Sequence, residues 1–175
     1  FSFAKNMIEK IVGSELVMQN KINASIMMPK DNTSNISLHS DAHSGESPFQ
    51  VVLWIALTDI YDSKSMYILS PEVNKYANKH FKSWILKGGR DKVLEELKNE
   101  LIWLKIPYGS FVLFSSNLFH GSIVNSTQET RWSFNTRFKS LFSPYGSNEK
   151  GLGAFYSPII TKPITKLGIK YEIPE

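Results

Sequence analysis

The sequence predicts a mainly β fold with helices packed outside it, one sandwich or barrel rather than two domains. Three observations carry that expectation. Short apolar runs separated by Asn, Asp, Ser, Gly and Pro occupy residues 25–69, and the same texture returns at 110–138. Between them, residues 71–104 carry apolar side chains at helical spacing. Neither strand group is large enough for a core of its own, so the two are expected to share one.

Taken in order, residues 4–17 begin with helical spacing at Met7, Ile8, Ile11 and Val12, with Gly13 as a candidate break. Strands are expected at 25–28, 36–39, 51–58 and 66–69. Val51 to Leu57 is apolar at every position, as suits a strand covered on both faces. Ser70 as N-cap, followed by Pro71 and Glu72, opens a helix expected over 71–86. Gly88 and Gly89 interrupt it, and Val93, Leu94, Leu97, Leu101 and Leu104 predict a second helix over 91–104. Strands are expected again at 110–114, 122–125 and 131–138, and the tail from Gly151 reads as a loop with Pro158 and Pro163.

The bulk composition narrows the chemistry. The 175 residues are 42% apolar and 21% charged, a globular balance large enough for one core. The chain has no cysteine. That excludes disulfides, cysteine nucleophiles and thiolate metal sites, so any metal must be held by His, Asp or Glu. No apolar run approaches the roughly 20 residues of a membrane helix. A cytoplasmic protein is expected, without a membrane span. Its first residue is Phe1 rather than Met, so a single domain over 1–175 with a truncated N-terminus is expected. The net charge of +4 comes from scattered lysines without an aromatic-interleaved basic block, so no nucleic-acid partner is expected.

The informative residues lie at the two ends of the strand regions. In Leu38-His39-Ser40-Asp41, His39 and Asp41 are two apart and would share one face of a strand. A second histidine follows in Leu118-Phe119-His120-Gly121. Two imidazoles and one carboxylate on one side of an ion leave positions open, which suits an Fe(II) that must bind a cosubstrate and O2. A His-x-Asp alone is a weak signal. The third element is Arg131, eleven residues after His120, with Ser133 two further along the same strand face. A guanidinium fork and a hydroxyl there suit the far carboxylate of 2-oxoglutarate.

The order His-x-Asp, long gap, His, about eleven residues, Arg resembles the Fe(II)/2-oxoglutarate dioxygenases, in particular the phytanoyl-CoA dioxygenase-like branch. Local texture is similar to bacterial oxygenases of carbohydrate biosynthesis clusters, in Ser47-Pro48-Phe49-Gln50, Lys64-Ser65-Met66-Tyr67 and Arg131-Trp132-Ser133-Phe134. The resemblance spans residues 22–145. It implies a double-stranded β-helix, the cupin-like jelly-roll, with His39 and Asp41 on an early strand, His120 on a late one and Arg131 on the last. It also implies oxidation of a small-molecule or sugar-related substrate with release of succinate and CO2, and Asp41 argues against halogenation.

Several residues have two readings. Gln50 and Tyr67 are candidate cosubstrate hydrogen-bonders or packing residues. His43 is an alternative ligand to His39 or a supporting residue beside it. Arg137 either binds substrate, supports the carboxylate site or forms a surface ion pair. His80 is expected at the surface or in packing, Trp54 and Trp132 in the core, and the segment 146–153 over the mouth of the site. Rival activities are a jelly-roll sugar epimerase without a redox metal, a zinc hydrolase on the same three ligands, and a non-catalytic carbohydrate-binding sandwich.

Overall fold

A computed structural model describes residues 1–172. Helix α1 spans Lys5–Val12 and buries Ile8 completely. It stops at Gly13, whose φ of 107° is open to glycine and whose N–H caps the Glu9 carbonyl. Strands β1 (Leu16–Gln19), β2 (Asn23–Met27), β3 (Gln50–Ala56) and β4 (Tyr67–Ile68) follow. Helix α2 then runs over Pro71–Leu97, with Ser70 Oγ accepting from the Val73 N–H at 3.3 Å as the N-cap. The predicted glycine interruption is a kink: Gly88 and Gly89 leave helical geometry, yet the helix resumes behind them.

The second helical stretch ends earlier than its leucine spacing predicts. A single 3-10 turn over Lys98–Glu100 leads into β5 (Ile102–Trp103), so Leu101 and Leu104 are not helical. Strands β6 (Phe111–Ser115), β7 (His120–Gly121) and β8 (Arg131–Ser140) come next. The tail is not a loop. It forms β9 (Tyr156–Ile160) and helix α3 (Pro163–Ile169). Pro158 is tolerated because β9 is the end strand beside β1.

Two separate sheets result. One has the order β6-β3-β8-β1-β9, with β2 also pairing to β8; the other is β5-β4-β7. The long β8 divides one edge between two partners, β2 along Arg131 to Asn135 and β1 from Phe138 onward. Neither sheet closes among the described residues, so the architecture is mixed α/β and the expected double-stranded β-helix, jelly-roll or cupin-like barrel is not formed. The physical reason lies in β4, β5 and β7. Each is two residues long, too short to carry hydrogen bonding across to the larger sheet.

The core is layered accordingly. On the outer face of the larger sheet, α1 packs Ala4 and Ile8 on Leu16, Val51, Leu53 and Phe138. Full burial of one such isoleucine contributes about 1.5–3 kcal/mol. Between the sheets lie Val52, Trp54, Ala56, Met66 and Phe114. Beyond the smaller sheet, α2 packs Ala77, Trp84, Val93 and Leu97 on Leu38, Tyr67, Leu69 and Phe119. Alternation along β4 therefore turns Met66 inward and Tyr67 toward α2. Trp132, expected in the core, is 45% exposed. No described helix is long and apolar enough to cross a membrane.

Candidate metal centre

His39, Asp41 and His120 come together, each offering one ligand atom within 4.8 Å of the others. The expected strand at 36–39 is replaced by a single bridge. His39 donates its N–H to the His120 carbonyl at 3.0 Å, and His120 returns one at 2.9 Å. Ser40 is extended, and Asp41 opens a 3-10 turn over Asp41–Ser44. Ser116 holds this turn through its carbonyl, which accepts from Ser40 Oγ at 3.1 Å and from the Ala42 N–H at 3.2 Å.

Hydrogen bonding fixes both imidazoles. His39 Nδ1 lies 2.9 Å from the Ser37 carbonyl and His120 Nδ1 lies 2.9 Å from the Leu118 carbonyl. A carbonyl only accepts, so each Nδ1 carries the hydrogen and each Nε2 keeps its lone pair for a metal. Burial, reinforced by the neighbouring His39, pushes His120 down to about 4, so it is neutral at pH 7. Burial works to raise the Asp41 carboxyl, but the neighbouring His39 and the Arg137 charge outweigh it and hold the group at about 2. Two imidazole Nε2 atoms and an ionised carboxylate are the donor set an Fe(II) site with open positions requires.

Helix α2 positions the second histidine through Asn74, a residue the sequence reading passed over. Its Oδ1 accepts from the Phe119 N–H at 2.7 Å and its Nδ2 donates to the Asn117 carbonyl at 3.0 Å. A buried amide one turn into an otherwise ordinary helix was the available signal. Gly121 is required by close approach: a Cβ there would lie 2.5 Å from Tyr67 Oη and 2.9 Å from the Ile36 carbonyl oxygen.

A cavity of about 400 Å³ opens beside the cluster, with His39, His120, Arg131 and Arg137 in its wall. Val52, Trp54, Met66 and Phe114 form its apolar side; Asn23, Ser25, Ser34, Ser122 and Asn135 supply neutral polar groups. Arg131 is 2% exposed. Its Nη2 donates to Ser25 Oγ at 2.9 Å, while Nε and Nη1 are buried without a partner, as is Ser133 Oγ. Burial alone pushes the guanidinium down to about 10, with no carboxylate compensating it. Such a group calls for an anionic ligand. The residues present therefore fit a metal ion and a carboxylate cosubstrate.

The other predicted residues sit elsewhere. Tyr67 does not line the cavity. Its hydroxyl is buried against Gly121, without a partner, and burial pushes it up to about 12. Gln50 is also outside the cavity wall, donating to Glu46 Oε2 at 2.6 Å and accepting from the Tyr156 hydroxyl. His43 packs against Phe81, tilted, and edge-on to Phe119, with centroids 4.9 and 5.1 Å away, and is no part of the metal cluster. His80 packs between Tyr76 and Trp84. Arg137 is buried rather than a surface ion pair, with Nη2 3.0 Å from Asp41 Oδ2. The segment 146–153 packs on residues 45–46 and contributes no residue to the cavity wall.

Residues 3–133 match the family model described as phytanoyl-CoA dioxygenase (PhyH), a span holding His39, Asp41, His120 and Arg131. No curated protein matches the sequence. Among solved structures, the apo form of the non-heme monooxygenase ThoJ aligns with a TM-score of 0.64 at 15% identity, covering 90% of this chain and 57% of its own. HygX from Streptomyces hygroscopicus, with nickel and 2-oxoglutarate bound, aligns at 0.62 and 13% identity, covering 79% and 61%. EctD from S. alaskensis aligns at 0.58 and 12% identity, covering 81% and 51%. At such identities the likeness concerns the fold, and the chain spans under two thirds of the length of each of these three. The family match covers well over half of the chain, and on that ground the protein belongs to the phytanoyl-CoA dioxygenase family.

Proposed function

We propose that residues 1–175 form a single oxygenase domain that uses Fe(II), 2-oxoglutarate and O2 to hydroxylate a small, sugar-related molecule. The observation that carries this reading is Arg131: a buried cation with two unpartnered donors, in the wall of the cavity that also exposes His39 and His120. His39, Asp41 and His120 would hold the iron. With 2-oxoglutarate and O2, the bound metal supplies the oxidation of a substrate C–H bond. In balance, 2-oxoglutarate, O2 and R–H become succinate, CO2 and R–OH.

The chain's own residues would do the rest. Arg131 and Ser133 would bind the far carboxylate of 2-oxoglutarate through charge-assisted hydrogen bonds. The wall of Val52, Trp54, Met66 and Phe114 excludes water from that contact and strengthens it. Asn23, Ser34, Ser122 and Asn135 add amides and hydroxyls to the cavity wall, and no aspartate or glutamate among the described residues lines it. Neutral hydrogen-bonding groups of this kind suit a hydroxylated substrate such as a sugar, not a cation. A zinc hydrolase or an epimerase without a metal would leave the Arg131 donors unassigned. A cytoplasmic setting belongs to the same reading, since a cysteine-free chain needs no oxidising compartment.

The test is succinate formation from 2-oxoglutarate by the protein with Fe(II) and ascorbate in air, before any substrate is known. Slow uncoupled formation that His120→Ala abolishes is expected. Equal succinate from the native chain and His120→Ala would contradict the reading.

A further inference from the structure

We propose that Arg137 is a positioning residue of the metal site, holding Asp41 by one carboxylate oxygen so that only the other faces the ion. This rests on the metal reading above and adds a residue to it. Asp41 divides its two oxygens: Oδ1 lies 3.5 Å from His39 Nε2, on the side of the cluster, and Oδ2 lies 3.0 Å from Arg137 Nη2.

The need for such a brace follows from the backbone. Asp41 stands in a 3-10 turn rather than on a strand, so no sheet ladder sets its direction. The turn is tied by the Ala42 N–H to the Ser116 carbonyl and by the Glu46 N–H to the Asp41 carbonyl. Neither bond constrains the side chain. A carboxylate free to turn can bind a metal through both oxygens and take a position that the cosubstrate needs.

Arg137 is itself immobilised. It lies on β8, 96 residues from Asp41 in sequence, and is nearly buried. Nη1 donates to Gln19 Oε1 at 3.1 Å on β1 and to Asn135 Oδ1 at 2.7 Å on its own strand. Nε sits 2.9 Å from Glu46 Oε2, an ion pair in which the N–H does not point at the oxygen. Glu46 is held in turn by Gln50 at 2.6 Å and Lys150 at 3.5 Å, and the Tyr156 hydroxyl donates to Gln50. The brace thus runs from the metal carboxylate to β9. Two nitrogens serve three acceptors, Gln19, Asn135 and Asp41, while Nε faces Glu46; a single ammonium cannot span them, so lysine is not an equivalent.

The test uses the full chain with Co(II) as the probe, reading its dissociation constant and visible ligand-field spectrum in the native protein, His120→Ala, Arg137→Gln and Arg137→Lys. Native Co(II) binding that His120→Ala abolishes establishes the site independently of Arg137. On that background Arg137→Gln is expected to bind Co(II) about 10–100-fold more weakly with an altered spectrum, and Arg137→Lys to recover little of either. A purely structural role would lower the melting temperature while leaving affinity and spectrum alone. A folded Arg137→Gln with native affinity and spectrum overturns the proposal; should that variant not fold, the same result from Arg137→Lys does so. If the native chain binds no Co(II), the metal reading fails first and this proposal with it.

Discussion

Replacing Arg131 by methionine should make the metal-free protein more stable while crippling cosubstrate binding. In the native chain the guanidinium is buried, makes one hydrogen bond to Ser25 and leaves Nε and Nη1 unsatisfied. Its fall from 12.5 to about 10 through burial reflects the cost of keeping that charge in the cavity wall. At 1.36 kcal/mol per unit this is on the order of 3 kcal/mol at neutral pH. Loss of the Ser25 hydrogen bond returns about 1 kcal/mol, leaving a net gain of roughly 2 kcal/mol. For a domain of this size that is a rise of about 4–8 °C in melting temperature. Binding of 2-oxoglutarate should weaken by about 2–5 kcal/mol, because its far carboxylate then enters a dry pocket without a counter-charge. Thermal melts with and without 2-oxoglutarate and a catalytically inert divalent metal read both effects. A variant that melts lower than native and still gains the full ligand-induced shift would refute the reasoning.

Other perturbations test the positioning of the metal ligands. Gly121→Ala places a Cβ 2.5 Å from Tyr67 Oη; overpacking of about 1–3 kcal/mol and weaker metal binding are expected, with Tyr67→Phe in the same chain restoring part of both. Unchanged melting and metal titration curves for Gly121→Ala alone would show that the close approach is harmless. Asn74→Ala strips the Phe119 N–H of its acceptor, for a loss of about 1–3 kcal/mol in urea unfolding; a change under 0.3 kcal/mol would remove Asn74 from the support of His120. Without metal, stability should fall as pH drops from 6.5 to about 4, because the unfolded chain there binds a proton that buried His120 refuses. The Asp41 contribution, present above its ordinary 3.8, is lost further down as pH approaches 2. His120→Asn should flatten the upper step, and melting curves that run parallel to the native ones from pH 7 to 4 would count against it.

The cluster of His39, Asp41 and His120, with Arg131 in the wall of the same cavity, was legible because each signal is local: a His-x-Asp triplet, a histidine after an apolar strand and an arginine eleven residues on. Arg137 had three readings because its role depends on a partner 96 residues away, which strand alternation does not reveal. Tyr67 shows the sensitivity of alternation to one residue: Met66, its neighbour, is the side chain that enters the cavity wall. The open sheets were hidden for a related reason. The segments 36–39 and 122–125 have strand composition, yet the first pairs only through the His39–His120 bridge and the second forms no strand, the two-residue β7 ending just before it. Composition reports burial, whereas closure depends on how many residues pair. At the C-terminus, Pro158 masked a strand that only an edge position permits.

Anaerobic titration of the native protein with Fe(II) and then 2-oxoglutarate, following the weak visible band of the iron chelate, tests the central claim most directly. The account predicts a saturable band in the native chain, none in His120→Ala, and a far higher 2-oxoglutarate requirement in Arg131→Met. Iron that binds normally yet gives no band at any 2-oxoglutarate concentration would contradict it.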